Sequence, residues 1–375
     1  MQHYREKKTS LVHPLIDYKT VVIVTDTFPP ATGGMAYTAY RISNHLDYHG
    51  VPTTVVVFNE DKVRCICGKK EWSLNTNSIM SSFDRHANMD ESCIQVVDPE
   101  MSPYCVISLY MGRNAYFGYL LSRKLKLHHY IVCVGSDIHQ HFETYYHKWR
   151  YEKLVKKARK IGILSDDMYE KVSSIPNSNG KIMLLNPGFN HELFRPMQRL
   201  LKYDFLYVGY ARPVKGLDYF LKILPSIDRK CRVCLVAPHR LADLNYYNEC
   251  INAAKNLSLQ HEIHWYGQTP PEELVELYNS SRFVIVPSKS EGAPHVVLEA
   301  MGCNRPIIAT DVGRISEFLG SKDTLFNSDA EFIKLLELAL DGSLLEFPNA
   351  RERAIKLAGS EIERISYRRF IDFEQ

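Results

Sequence analysis

Short apolar runs with few polar interruptions recur along the whole chain, at 20–25, 53–58, 106–109, 130–134, 161–164 and 181–185, and again at 205–209, 231–237, 262–266, 283–287 and 306–309. Runs this short, rich in Val, Ile and aromatic residues, predict strands buried on both faces, as in a parallel sheet covered by helices. Apolar positions at helical spacing follow the first run of each half, at 35–46 and 217–227. Each half therefore opens on a strand, a turn and a helix. The alternating order predicts an α/β protein of two doubly wound, Rossmann-like domains facing across a ligand-binding cleft. A polar connection from Phe194-Arg195-Pro196 to Lys202 separates them, which places the first domain at 1–198 and the second at 199–359. The helical tail at 360–375 is expected to pack back on the first domain.

Composition changes this picture little. The 375 residues suffice for two cores, and 45% hydrophobic with 24% charged residues is ordinary globular usage. A formal charge of +3, from 46 Lys+Arg against 43 Asp+Glu, argues against nucleic acid as a general partner. The local balance differs. From Arg113 to Lys160, eleven Lys/Arg face three Asp/Glu, a net of +8, interleaved with Tyr116, Phe117, Tyr119, Phe142, Tyr145, Tyr146, Trp149 and Tyr151. Such a stretch is either a solvated helix face or a patch for an anionic membrane surface, where aromatics settle at the interface. Nine scattered cysteines cannot all pair, and Cys231 and Cys234 read as small hydrophobes in a buried strand. With no signal-like or membrane-spanning apolar run, the expected location is cytoplasmic, peripheral to a membrane at most.

Chemistry is first narrowed by absences. The chain contains no P-loop, no G-x-G-x-x-G, no G-x-S-x-G and no D-x-D, the last weakening any reading with a paired-aspartate metal site. The informative segment is Pro287-Ser288-Lys289-Ser290-Glu291-Gly292-Ala293-Pro294-His295-Val296-Val297-Leu298-Glu299-Ala300-Met301. It reads as strand, small-residue loop and helix, so free backbone N–H groups and the positive helix end would favour an anion such as a diphosphate. Glu291 and Glu299 suit the hydroxyls of a sugar or ribose, whose protons a carboxylate accepts.

With Glu291-x7-Glu299, the small residues after it and the run Arg305 to Gly313, the chain resembles the GT4-type family of retaining glycosyltransferases of GT-B fold. Gly33-Gly34, the segment Asn186 to Pro196, Gly209 to Gly216, and Gly267-Gln268 with Tyr278 also match that family in order. The resemblance implies that Glu291 contacts the donor sugar and Glu299 the ribose. It implies that Gly33, Gly34, Gly209, Gly292, Ala293, Pro294, His295 and Val296 line the donor site, and that Lys215 and Arg212 neutralise the leaving phosphates. The family's arginine usually follows the strand-end glycine directly; here Tyr210 stands there and Arg212 comes two later. Val134 stands where many members carry a histidine, which points to Asp137 or His139 as acceptor or sugar contacts.

The resemblance further implies a nucleotide-sugar donor as substrate, a UDP-sugar before a GDP- or ADP-sugar, and no metal or other cofactor. The acceptor would be a glycan, a lipid-linked or a small-molecule hydroxyl. A sugar phosphorylase or a nucleotide-sugar epimerase on the same fold, or a nucleic-acid-binding or DNA-modifying protein, are the alternatives. The stretch 61–102 reads as irregular acceptor-side loops.

Overall fold

The structure is a computed structural model that describes residues 19–29, 34–48, 53–59, 62–67, 70–74, 102–139, 145–344 and 349–372. Two sheets organise it. The first has the order β4-β3-β2-β1-β5-β6-β7-β8, formed by β1 (Lys19–Thr25), β2 (Thr53–Asn59), β3 (Lys62–Cys67), β4 (Lys70–Leu74), β5 (Ser102–Leu109), β6 (His128–Val132), β7 (Lys160–Ile163) and β8 (Ile182–Leu184). From β2 through β8 its neighbours pair in parallel. The second is parallel throughout, in the order β11-β10-β9-β12-β13-β14, from β9 (Tyr203–Val208), β10 (Arg232–Val236), β11 (Glu262–Tyr266), β12 (Ser281–Val286), β13 (Ile307–Thr310) and β14 (Leu325–Phe326).

The central strands are buried as the continuous apolar runs require. Val21, Ile23, Val24, Val106 and Ile107 in the first sheet, and Phe205, Leu206, Val233, Leu235 and Val284 in the second, are almost solvent-free. Cys231 and Cys234 sit in the second core. Two local expectations need correction. Part of 61–102 is not irregular, because β3 pairs antiparallel with β2 and β4 with β3, extending the first sheet by a hairpin. The short run Val63-Arg64-Cys65-Ile66-Cys67, with its β-branched residues, is the strand signal there. The helix expected over 217–227 stops at Ile223 and tightens to a 3-10 turn, because Pro225 has no N–H to continue the ladder.

The helices in chain order are α1 (Gly34–Tyr48), α2 (Arg113–Leu125), α3 (Ser136–His139), α4 (Tyr145–Lys157), α5 (Asp166–Ser173), α6 (Leu217–Ile223), α7 (Leu244–Leu257), α8 (Pro271–Asn279), α9 (His295–Gly302), α10 (Ile315–Leu319), α11 (Asp329–Asp341), α12 (Ala350–Ala358) and α13 (Ser360–Phe370). Among the described residues no helix is long and apolar enough to cross a membrane. α12 packs Ala350, Ala354 and Ala358 into the second core, and after Gly359 the chain crosses to the first, where Tyr367, Phe370 and Ile371 join the cluster of Val21, Ile107 and Tyr130. The crossing is fastened by a buried ion pair, Arg41 Nε and Nη2 donating to Glu363 at 3.0 and 3.2 Å. Gly188 lies against that carboxylate, where a Cβ would come within 1.9 Å of Glu363 Oε2.

Candidate active site

At the carboxyl end of β12 the backbone makes a loop, 287–294, buried except at Lys289 and Ser290, before α9 begins with Pro294 at its N-cap. The first-turn amides of α9, including those of His295 and Val296, have no intrahelical acceptors and face an anion readily. The loop is braced from β13. Thr310 Oγ1 donates to Ser288 O at 2.5 Å, Arg314 N donates to Gly292 O at 3.0 Å, and Gly313, at φ +57°, lets the chains approach so closely that a Cβ would sit 2.5 Å from the carbonyls of Glu291 and Gly292. Gly292, Ala293 and Pro294 are buried. Gly292 presses on the first domain, where an added Cβ would lie 2.5 Å from Met168 Cε.

Lys215 arrives from a 3-10 turn, Pro213–Lys215, closed by Gly216 at φ +67°. A Cβ on Gly216 would be 2.0 Å from Pro287 O, and Lys289 N donates to Val214 O at 2.8 Å, so this turn and the 287–294 loop are stitched edge to edge. Lys215 Nζ consequently stands 2.7 Å from both Oε1 and Oε2 of Glu291, whose Oε1 also accepts from Ser288 Oγ at 2.7 Å. The lysine side chain is 30% exposed and the glutamate 8%. An ammonium reachable by ligand, anchored on a buried carboxylate, is a fixed positive charge at the mouth of the α9 N-terminus.

Arg212 leaves the same turn in another direction, 3.6 Å from Asp243 Oδ2. Gly209 uses its N–H on Val236 O at 3.0 Å, and a Cβ there would lie 3.2 Å from the Tyr207 hydroxyl, so the absent side chain leaves room for that ring. Glu299, on α9, accepts from Tyr278 Oη at 2.9 Å. Burial pushes its carboxyl up to about 7, against the pull of the Tyr278 hydroxyl and the Arg41 charge. His295 reaches across the seam: Nε2 lies 3.2 Å from Thr38 Oγ1 of α1, and Gly34 is in contact with its ring. Burial, with Arg41 nearby, lowers its pKa to about 3, so the imidazole is neutral.

On the first-domain side the expectations fare differently. Gly33 lies outside the described residues, as does the side chain of His139. Asp137 is not an acceptor contact: it is wholly buried, and its carboxylate accepts from the amides of Met111 (2.7 Å), Gly135 (2.9 Å) and Val134 (3.2 Å). From the first turn of α3 it brackets the loops that follow β5 and β6 by accepting their backbone amides. Asp137→Ala should cost on the order of 3 kcal/mol by stranding these buried donors. Urea unfolding measures it, and a loss indistinguishable from zero would remove the bracket.

In the basic stretch, Phe117, Tyr119 and Tyr151 are core residues, so they offer no aromatic anchors to a membrane, and the aromatics at 142–149 lie outside the described side chains. What the sequence did not announce is the set of partners: Ser288 and Thr310 behind Glu291, Tyr278 behind Glu299, and Thr38 on His295. A cavity of about 360 Å³ opens beside Glu291, between Asp166 and Asp167 at the start of α5 and Gly313, Arg314 and Glu317 of the second domain.

The family model for glycosyl transferases group 1 matches residues 195–358. An uncharacterized glycosyltransferase of Methanocaldococcus jannaschii is 27% identical over 203 residues, 54% of each chain. A D-inositol 3-phosphate glycosyltransferase of Nocardia farcinica is 30% identical over 178 residues, 44% of this chain and 40% of that one. The chain thus spans about half or less of the curated relatives it matches. Sucrose-phosphate synthase from Thermosynechococcus elongatus superposes with a TM-score of 0.73 at 15% identity, over 94% of this chain and 98% of that one. HepE from Anabaena, solved with UDP and glucose, does so with a TM-score of 0.73 at 13% identity, over 95% and 100%. These two likenesses concern the two-domain fold.

Proposed function

We propose that this chain, whose residues 195–358 match the model for glycosyl transferases group 1 and which has the GT-B fold, is a retaining glycosyltransferase acting on a nucleoside diphosphate sugar. The observation that carries this reading is the Lys215 ammonium held 2.7 Å from both oxygens of Glu291 beside the α9 N-terminus. That arrangement offers a cation and free amides to a diphosphate, and a carboxylate to sugar hydroxyls, within one loop. The relatives' printed descriptions as glycosyltransferases, and UDP in the HepE structures, support a nucleotide-sugar donor with UDP first in order.

In the proposed reaction the bond from the sugar's anomeric carbon to the diphosphate oxygen breaks while a bond to the acceptor oxygen forms on the same face. The acceptor proton passes to the departing phosphate oxygen. Lys215 and the α9 amides stabilise the charge that develops there. Glu291 orients the sugar, Glu299 takes a ribose hydroxyl, and the cavity beside Glu291 receives the acceptor, a hydroxyl of a glycan, a lipid-linked or a small molecule.

Thermal unfolding with UDP-, GDP- and ADP-sugars tests the reading, because a ligand that binds the folded state raises the melting temperature by mass action. One of the three should raise it; none doing so would end the proposal. The pH dependence follows from Glu299. A ribose hydroxyl donates more strongly to the ionised carboxylate than to the neutral acid, and with a pKa of about 7 the ionised form is lost as pH falls. The stabilisation by donor should therefore shrink below pH 7, by at most about tenfold in affinity per unit, and Glu299→Gln should flatten that slope.

A further inference from the structure

Two loops of the second domain meet where β9 and β10 end. Gly209 N donates to Val236 O at 3.0 Å and Ala211 N to Pro238 O at 2.8 Å, so 209–211 and 236–238 run side by side. From the second of them Arg240 lays its guanidinium over the ring of Tyr210, 5.1 Å from the centroid. The residue is exposed. On the first domain, at the end of β1, Asp26 stands in its field: burial raises the Asp26 carboxyl, and the Arg240 charge is the strongest of the influences that pull it back. Asp26 Oδ1 is buried without a hydrogen-bond partner among the described residues. The other two cations at these strand ends are occupied, Lys215 by Glu291 at 2.7 Å and Arg212 by Asp243 at 3.6 Å.

A guanidinium stacked on an aromatic face keeps its N–H edge open, and that planar fork matches the oxygens of a phosphate. The carboxyl ends of parallel strands are where an anionic ligand is delivered in this architecture. We propose that Arg240, seated on Tyr210, binds the diphosphate of the donor, and that Asp26 is its counter-charge across the cleft when no donor is present. The inference rests on the nucleotide-sugar reading above. It gives Tyr210 a role as a platform, and it makes the first domain a competitor with the ligand for one cation. Donor binding then exchanges an interdomain attraction for a phosphate contact.

Calorimetric titration with UDP, GDP and ADP on the full chain tests this. Arg240→Gln should weaken the diphosphate that wild type binds best by about 10- to 100-fold, the range for a charged hydrogen bond lost to an anion. Arg240→Lys should recover part of it, keeping charge without the fork, and both variants should melt like wild type because the side chain is exposed. Asp26→Asn should tighten the diphosphate in the wild-type background and do nothing in the Arg240→Gln background. Unchanged affinity in Arg240→Gln overturns the assignment while leaving the nucleotide reading intact. An Asp26→Asn gain of equal size in both backgrounds overturns the pairing. If wild type binds none of the three nucleotides, both readings fall.

Discussion

Lys215→Ala lowers kcat by about 100-fold or more in a glycosyl-transfer assay, the usual scale for removing one preorganised group at a developing negative charge. The reason is geometric as well as electrostatic. Lys215 is fixed by a two-oxygen contact with Glu291, so its charge is in place before the phosphate departs and no reorganisation is needed at that moment. Removing it also leaves Glu291, only 8% exposed, without its cation. Breaking a buried pair from one side costs about 3–5 kcal/mol, and the 30% exposure of Lys215 reduces this to on the order of 2 kcal/mol. The double variant Lys215→Ala/Glu291→Gln separates the two effects: it should regain stability in a melt yet stay slow. Wild-type turnover in Lys215→Ala would reject the role assigned to this lysine.

Gly216→Ala should be as damaging without removing any functional group. Its φ of +67° is a conformation that costs an L-residue about 1–2 kcal/mol, and the new Cβ would fall 2.0 Å from Pro287 O, a backbone atom that cannot swing aside. The Lys215 turn must then separate from the 287–294 loop. A displacement of about 1 Å at such a site costs on the order of 100-fold in rate. The control is Gly180→Ala, also at positive φ (+73°) but with nothing within 4 Å of the added carbon. It should lose only the conformational term, seen as a lower melting temperature, and keep its kcat. If Gly216→Ala keeps full turnover, the close approach of these loops does not position Lys215.

Much of this site was legible because its signals are local. A loop of small residues between an apolar strand and an apolar helix announces a turn into a helix N-terminus through backbone chemistry alone, and the structure puts Glu291 in that loop and Glu299 on the helix after it. Tyr278 and Glu299 already lie 21 positions apart, and nothing near either names the other. Asp137 shows the limit most plainly. The residue type fits both a sugar contact and a bracket for backbone amides, and only its burial beneath Met111, Val134 and Gly135 decides between them.

The fold divides the same way. Apolar runs and helical spacing are properties of a few consecutive residues, and they determined the α/β class, the positions of β1, β2 and β5 through β13, and the strand–loop–helix segment at 287–301. The hairpin of β3 and β4, the Arg41–Glu363 pair that ties α13 to α1, the His295–Thr38 contact and the seating of Arg240 on Tyr210 were decided by the tertiary structure. The first pair joins residues 322 positions apart and the second 257, so their energies exist only once the domains are packed. A charge or an imidazole in sequence carries its chemistry with it, but its partner, its burial and therefore its protonation belong to the assembled cleft.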